Sequence, residues 1–241
     1  MAHFLLVHGA WHGAWCWQRV LPALIAAGHR AHAVTLTGVG ERAHLLHPGI
    51  DLETHISDVM MAMDAEELQQ VVLVVHSYAG MLGTAVADRR PGRLQHLVYL
   101  DAVLPAPGES WSSTHAPATR QARIADSQAD PMRSFAPPDP VVFGLSGEDH
   151  AWVARRQTPH PGGPYTHALD FDPRRVASVP RTFINCTQPP LATIEVSRRR
   201  MLDPDFWGGA WLPGSRVLEM QTGHDPMVSD PQGLVQHLLQ L

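Results

Sequence analysis

A serine, a histidine and an aspartate in this chain have the residue types and positions for nucleophilic chemistry. Ser77 closes the run Val71-Val-Leu-Val-Val-His-Ser77, and a helical pattern (Met81, Leu82, Ala85, Val86) begins directly after it. A serine on such a strand-to-helix turn has its oxygen lifted clear of the sheet, beside the first backbone N–H groups of the helix. Acyl transfer at serine also needs a base, a carboxylate to orient that base, and donors for the developing oxyanion. Position selects His224 from the 16 histidines, because Gln221-Thr-Gly-His-Asp-Pro-Met227 follows the last expected strand. Gly223 lets the backbone turn there, and Pro226 opens the next helix. The expected oxyanion donors are the N–H of Tyr78 and the N–H of Ala10, with Trp11 as the alternative to Ala10.

Six segments read as the strands that position these residues: Phe4–Val7, Arg30–Leu36, Val71–Val75, Leu97–Leu100, Arg181–Asn185 and Val217–Met220. Helices are expected over 15–27, Asp51–Met63 (capped by Asp51 or Thr54), Met81–Asp88 and from Pro226 to the end. The alternation predicts an α/β domain, a mostly parallel sheet flanked by helices. Ligands in such sheets bind beyond the carboxyl ends of the strands. His8, Ser77, Asp101 and Thr187 all fall at strand ends. Residues 105–180 break the pattern, holding many of the 21 prolines together with Trp111, Phe135, Phe143, Trp152 and Tyr165. They are expected to form a cap inserted over the catalytic edge, leaving 1–104 and 181–241 as the core of the same domain.

Composition narrows the chemistry. A length of 241 residues suits one such domain, and a net charge of −5 argues against a nucleic-acid partner. All 18 basic residues are arginine, so Schiff-base chemistry at lysine is excluded. Cys16 and Cys186 read as buried free thiols. No apolar run reaches about 18 residues and no signal-peptide pattern opens the chain, so neither a membrane partner nor export is expected, and the expected location is cytoplasmic. No metal-ligand or nucleotide motif is present, so no metal and no cofactor are expected. The oligomeric state is left open between monomer and homodimer.

Three segments resemble a known family. Phe4-Leu-Leu-Val-His-Gly-Ala-Trp-His-Gly-Ala-Trp-Cys-Trp17, His76-Ser-Tyr-Ala-Gly80 and Thr222-Gly-His-Asp225 are similar to the α/β-hydrolase branch of plant methyl-salicylate and methyl-jasmonate esterases, hydroxynitrile lyases and bacterial esterases. The bacterial members also carry segments like Leu36-Thr-Gly-Val-Gly-Glu-Arg-Ala-His-Leu45, Val98-Tyr-Leu-Asp-Ala-Val-Leu-Pro105 and Thr158-Pro-His160. The resemblance implies the α/β-hydrolase fold and ester hydrolysis. Hydroxynitrile lyases of this branch use a threonine at the position of Gly9 and a lysine at that of Asp225, and both departures favour hydrolysis. The plant enzymes hold their acid just after the penultimate strand, where this chain has Cys186-Thr-Gln-Pro-Pro-Leu191 and no carboxylate. Asp203 and Asp205 lie further on. Asp101 is the better candidate, because it ends the strand beside the nucleophile strand. Some lipases and haloalkane dehalogenases carry their acid at that strand end.

The usual G-x-S-x-G around the nucleophile reads Val75-His-Ser-Tyr-Ala79, so both glycines are missing. Small neighbours such as Gly80 and Ala85 are expected to compensate. His8, Gly9, Trp11, Trp111 and Trp152 are the expected pocket residues, and their apolar character suggests a small-to-medium apolar or aromatic ester, lactone or thioester. Glu41 and Arg42 are expected either to support the mouth of the site or to pair with each other. The expected enzyme is a carboxylic ester hydrolase acting through an acyl-enzyme on Ser77. The alternatives are a lyase, cyclase or epoxide-opening enzyme of secondary metabolism on the same scaffold, or a non-catalytic ligand-binding member.

Overall fold

The computed structural model describes all 241 residues. Six strands form one sheet: β1 His3–Val7, β2 Arg30–Val34, β3 Val71–His76, β4 Leu94–Leu100, β5 Arg181–Cys186 and β6 Ser215–Met220. The spatial order is β6-β5-β4-β3-β1-β2, and every pair is parallel. β3 lies between β4 and β1, and its six residues are all buried. A strand buried on both faces needs a continuous apolar run, and Val71–Val75 supplies one. Parallel pairing also sets the carboxyl ends of β1, β3, β4 and β5 along one edge of the sheet.

Helices flank the sheet. α1 spans Leu21–Ala26, α2 Leu52–Ala65 and α3 Gly80–Arg89. α2 buries Leu52, His55, Ile56, Val59 and Met63 at helical spacing. Its start is fixed by a capping box in which the Asp51 carboxylate accepts from Thr54 N at 2.9 Å, an arrangement worth about 1 kcal/mol. Two helical readings of the sequence are shorter in the structure. Residues 15–27 divide into a 3₁₀ turn over Ala14–Trp17 and the six-residue α1. The last helix divides into Pro226–Ser229 and Pro231–Leu238, because Asp230 leaves helical geometry and its carboxylate caps Gly233 N at 3.0 Å.

Between β4 and β5 the chain leaves the sheet. This segment holds α4 (Pro117–Ala129), a helix over Gly147–Ala154 and two small antiparallel pairings. Glu109–Ser110 pairs with Ala168–Leu169, and Ser134–Phe135 with His160–Pro161. Trp111, Phe135, Phe143 and Tyr165 from this segment are buried in the same apolar core as the sheet. Cys16 and Cys186 are buried free thiols.

Candidate active site

Ser77 is the only residue of the run 71–80 that is not buried. It sits at φ +55°, in the left-handed region that non-glycine residues avoid. Only seven non-glycine residues of the chain have positive φ, and Trp11 (+64°), Ser77 and Asp101 (+39°) are three of them. Each costs of order 1–3 kcal/mol and persists only where its surroundings over-determine it. Ser77 and Asp101 stand at the two ends of one hydrogen-bonded line, and Trp11 lines the cavity at Ser77.

The Ser77 hydroxyl lies 2.9 Å from His224 Nε2, and His224 Nδ1 lies 2.7 Å from Asp101 Oδ2. Asp101 is fully buried at the end of β4. Its Oδ1 accepts from Arg198 Nη2 at 3.0 Å and from Cys186 N at 3.4 Å, so a cation and a backbone donor compensate the buried carboxylate. Arg198 is itself held by Asn185 Oδ1 at 2.8 Å and Leu191 O at 2.7 Å. Since Nδ1 faces a carboxylate, His224 donates there and presents a bare Nε2 to the serine hydroxyl.

The loop carrying His224 is fixed from two sides. His224 N donates to Phe143 O at 2.9 Å, and His76 Nε2 donates to His224 O at 2.8 Å. A Cβ on Gly223 would come within 2.3 Å of Phe143 O, so this approach requires glycine. Behind the loop, Asp225 and His12 form a sealed pair at 3.0 Å. His12 also meets Ala10 O at 2.8 Å through Nδ1. Both partners only accept, so both ring nitrogens carry protons and His12 is an imidazolium. Burial opposes that charge, but Asp225 and the Ala10 carbonyl outweigh burial and raise the His12 pKa. Burial likewise pushes the Asp225 carboxyl up, and His12 with His76 and His224 more than offsets it, bringing it down to about 2.

His76, His224 and Asp225 gather closely enough to suggest a metal cluster. Both ring nitrogens of His224 are committed to Ser77 and Asp101, which leaves only His76 Nδ1 and Asp225 Oδ1 unpartnered. Two atoms fall short of the three protein ligands typical of a catalytic zinc site.

Gly9 packs directly under Ser77. A Cβ there would stand 2.7 Å from Ser77 Cβ and 2.9 Å from His76 Nδ1. The next two residues differ in what their N–H groups do. Trp11 N donates to His160 Nδ1 at 3.4 Å, whereas Ala10 N has no partner within the chain. Thr158 N also bonds Trp11 O at 3.0 Å, and Thr158 Oγ1 accepts from Gly40 N at 2.9 Å. The segment Thr158-Pro-His160 therefore ties down the loops after β1 and β2. Its histidine is buried and structural here.

A cavity of about 210 Å³ opens at Ser77, walled by Trp11, Trp111, Phe143, Leu191 and Ile194, with Arg123 at its side. Of the five expected pocket residues, Trp11 and Trp111 line it. Gly9 sits beneath Ser77, and His8 is turned away, bonding Gly9 O and Leu36 N with its two ring nitrogens. Trp152 corrects the expectation: it packs edge-on against Trp15 at 5.0 Å, between the guanidinium groups of Arg19 and Arg156, away from the cavity. Arg42 pairs with Asp58 rather than with Glu41. Tyr78 is buried beside Ser77, and its hydroxyl donates to His55 Nδ1 at 3.1 Å. Sequence reasoning missed Arg198, the Asp225–His12 pair and Arg123.

A serine, a histidine and a buried aspartate in line at the carboxyl edge of a parallel sheet define the architecture of an α/β-hydrolase. The chain belongs to the alpha/beta hydrolase family, which matches it over residues 4–237. It is a carboxylic ester hydrolase by kinship. It is 37% identical, over all of both chains, to a carbendazim hydrolyzing esterase of Nocardioides sp. (strain SG-4G). It is 28% identical to Methylesterase 1 of Arabidopsis thaliana, over 99% of this chain and 95% of that one. Among solved structures, an extracellular alpha/beta-hydrolase from a Paenibacillus species superposes with a TM-score of 0.81 at 18% identity, covering 100% of this chain and 98% of that one. That likeness concerns the fold.

Proposed function

We propose that this protein hydrolyses small esters, methyl esters of aromatic acids in particular, through an acyl-enzyme on Ser77. The observation that carries the reading is the unbroken line Asp101–His224–Ser77, at 2.7 and 2.9 Å, opening into an aromatic-walled cavity. In this reading Ser77 Oγ attacks the ester carbonyl while His224 Nε2 takes its proton. Asp101 stabilises the imidazolium that results. The N–H groups of Ala10 and Tyr78 receive the oxyanion, and the unpartnered state of Ala10 N supports that role. His224 then protonates the departing alkoxide, and water, activated by the same nitrogen, releases the acid.

A cavity of about 210 Å³ lies below the roughly 300–1,000 Å³ of drug-sized ligand sites, which favours a small alcohol and a compact acyl group. The names of the relatives, methylesterase among them, agree with a methyl leaving group. Residues 105–180 act as the cap, supplying Trp111, Arg123 and Phe143 to the cavity. The hydroxynitrile-lyase alternative needs a side chain at position 9, where a Cβ would collide with Ser77.

The test is labelling by a fluorophosphonate probe, followed by p-nitrophenyl esters of increasing chain length. Labelling that disappears in Ser77→Ala, with acetate preferred over long chains, is expected. Folded wild-type protein that resists the probe would sink the esterase reading.

A further inference from the structure

Arg123 is a cation without a carboxylate. It projects from α4, and its guanidinium carbon lies over four rings: Trp11 at 5.1 Å, Trp111 at 5.5 Å, Tyr165 at 5.7 Å and Phe135 at 5.8 Å. The other arginines that enter the body of the protein are compensated. Arg198 has Asp101, Arg200 has Glu109, and Arg181 has five bonds to backbone carbonyls. Arg123 Nη1 bonds His115 Nδ1 at 3.3 Å, and its guanidinium also lies within reach of the Tyr165 hydroxyl. It shares the His115 nitrogen with the Tyr165 hydroxyl, at 2.7 Å. Neither neighbour brings negative charge, because burial and the nearby guanidinium pull the His115 pKa down to about 3, and burial pushes the Tyr165 phenol up.

The four rings surround the guanidinium carbon without bringing a carboxylate to its N–H donors. An arginine offers five N–H donors in a planar fork that fits a carboxylate bidentately, and it stays charged at any working pH. At most two are engaged here, towards His115 and towards the Tyr165 hydroxyl. None of the unbonded nitrogens is sealed from the surroundings, and Arg123 lines the same cavity as Ser77. An uncompensated cation in an apolar-walled reaction cavity is costly unless an anion arrives with the substrate.

We propose that Arg123 determines specificity by binding a carboxylate on the acyl half of the substrate, so that the preferred substrates are monoesters of small aromatic dicarboxylic acids. This rests on the esterase reading above, and in particular on a small alcohol half with no room for the second charge. The four rings hold the guanidinium at the side of the cavity that Ser77 also lines. The fork then orients the substrate so that its neutral ester, not its ionised carboxylate, meets Ser77.

The test compares esters of matched shape. Monomethyl isophthalate and monomethyl terephthalate carry the charge; methyl 3-carbamoylbenzoate and methyl 4-carbamoylbenzoate replace it with an amide. Wild type is expected to favour at least one anionic ester over its amide partner by roughly ten- to hundredfold in kcat/KM, the range of a charge-assisted hydrogen bond. In Arg123→Met the ratio falls to about one, and Arg123→Lys, which keeps a point charge without the fork, is intermediate. Calorimetry on Ser77→Ala protein gives a readout without turnover: monomethyl isophthalate or monomethyl terephthalate should bind more tightly than the methyl carbamoylbenzoate of the same shape. If Arg123→Met fails to fold, the wild-type ratio and the calorimetry decide. Equal kcat/KM for charged and neutral partners in wild type, or a charge preference that survives Arg123→Met, overturns the proposal. Neutral esters turned over without charge preference would remove Arg123 alone. Absence of both hydrolysis and fluorophosphonate labelling would remove the esterase reading beneath it.

Discussion

Replacing Asp101 by asparagine keeps the shape and removes the charge, and the surroundings of the residue dictate the consequence. Every group that faces the Asp101 side chain is a donor. His224 Nδ1 lies at 2.7 Å from Oδ2, Arg198 Nη2 at 3.0 Å from Oδ1 and 3.3 Å from Oδ2, and Cys186 N at 3.4 Å from Oδ1. An asparagine has one accepting oxygen and one donating NH₂ group. Arg198 cannot give up a proton, so the oxygen turns towards Arg198 and the NH₂ faces His224. His224 then keeps its proton on Nε2, where it can no longer take the Ser77 proton. In the serine proteases this tautomer change costs about 10⁴ in kcat, or about 5 kcal/mol. A loss of that order is expected here in kcat for p-nitrophenyl acetate and in the rate of fluorophosphonate labelling.

A second variant separates the tautomer argument from simple loss of charge. Arg198→Met in the Asp101→Asn background removes the donor that orients the amide. The oxygen is then free to turn to His224 Nδ1, and activity should rise above that of Asp101→Asn alone. In the wild-type background the same Arg198→Met should be harmful, because it strips a fully buried carboxylate of its cation. Breaking such a pair costs about 3–5 kcal/mol, measurable by urea unfolding. A folded Asp101→Asn protein with wild-type turnover would refute the role of Asp101. A double variant no faster than Asp101→Asn would refute the tautomer argument.

Two further outcomes follow from the packing and from the buried charges. Gly83→Ala sets a methyl 2.8–2.9 Å from both Cγ atoms of Val75 and 3.0 Å from Leu97 Cδ1, so it should destabilise by about 1–3 kcal/mol. Val75→Ala in the same chain should return part of that loss, as thermal unfolding of the two single variants and the double will register through non-additivity. Asp225 has its pKa depressed from 3.8 to about 2, so it adds roughly 2 kcal/mol of stability above pH 4, lost as pH falls towards 2. His12 has its pKa raised, so its contribution is full at low pH and fades as pH rises through its folded value. Urea unfolding should therefore show the gap between wild type and Asp225→Asn narrowing as pH falls from 4 to 2; a constant gap would contradict the ion-pair assignment.

The sequence disclosed the parts of this molecule that depend on local pattern. Val71–Val75 could be read as a strand from its unbroken branched apolar run, and Asp51 or Thr54 as a helix start without knowing what the helix touches. Ser77, Asp101 and His224 were legible because topology assigns strand ends to one edge. The partners of these residues were not, because they come from far along the chain. Arg198 reaches Asp101 across 97 positions and is one of three consecutive arginines. Its neighbour Arg200 turns instead to Glu109. Nothing in the string Arg198-Arg-Arg200 says which of the three carries the acid. The His12–Asp225 pair spans 213 positions, and Trp152 looked like a wall of the pocket only because aromatic character does not encode direction.

The two missing glycines show what the nucleophile motif requires. The first glycine of G-x-S-x-G keeps the strand before the serine close to the helix after it. Here Val75 fills that position with a branched side chain, yet the turn forms and Ser77 reaches its positive φ. The space comes from the other side of the interface. Gly83, one turn into α3, has both Cγ atoms of Val75 where its own Cβ would be crowded, so the small residue has moved from strand to helix. At the second position Ala79 is tolerated because the close approach is made one residue later. A Cβ on Gly80 would stand 1.9 Å from Val103 O, and Val103 N in turn bonds Ser77 O at 2.9 Å. The elbow thus depends on two interatomic distances, between β3 and α3 and between α3 and the loop after β4, and glycine at any residue that secures them will serve. Val75 and Ala79 therefore mark a relocated packing solution, not a loss of the geometry at Ser77.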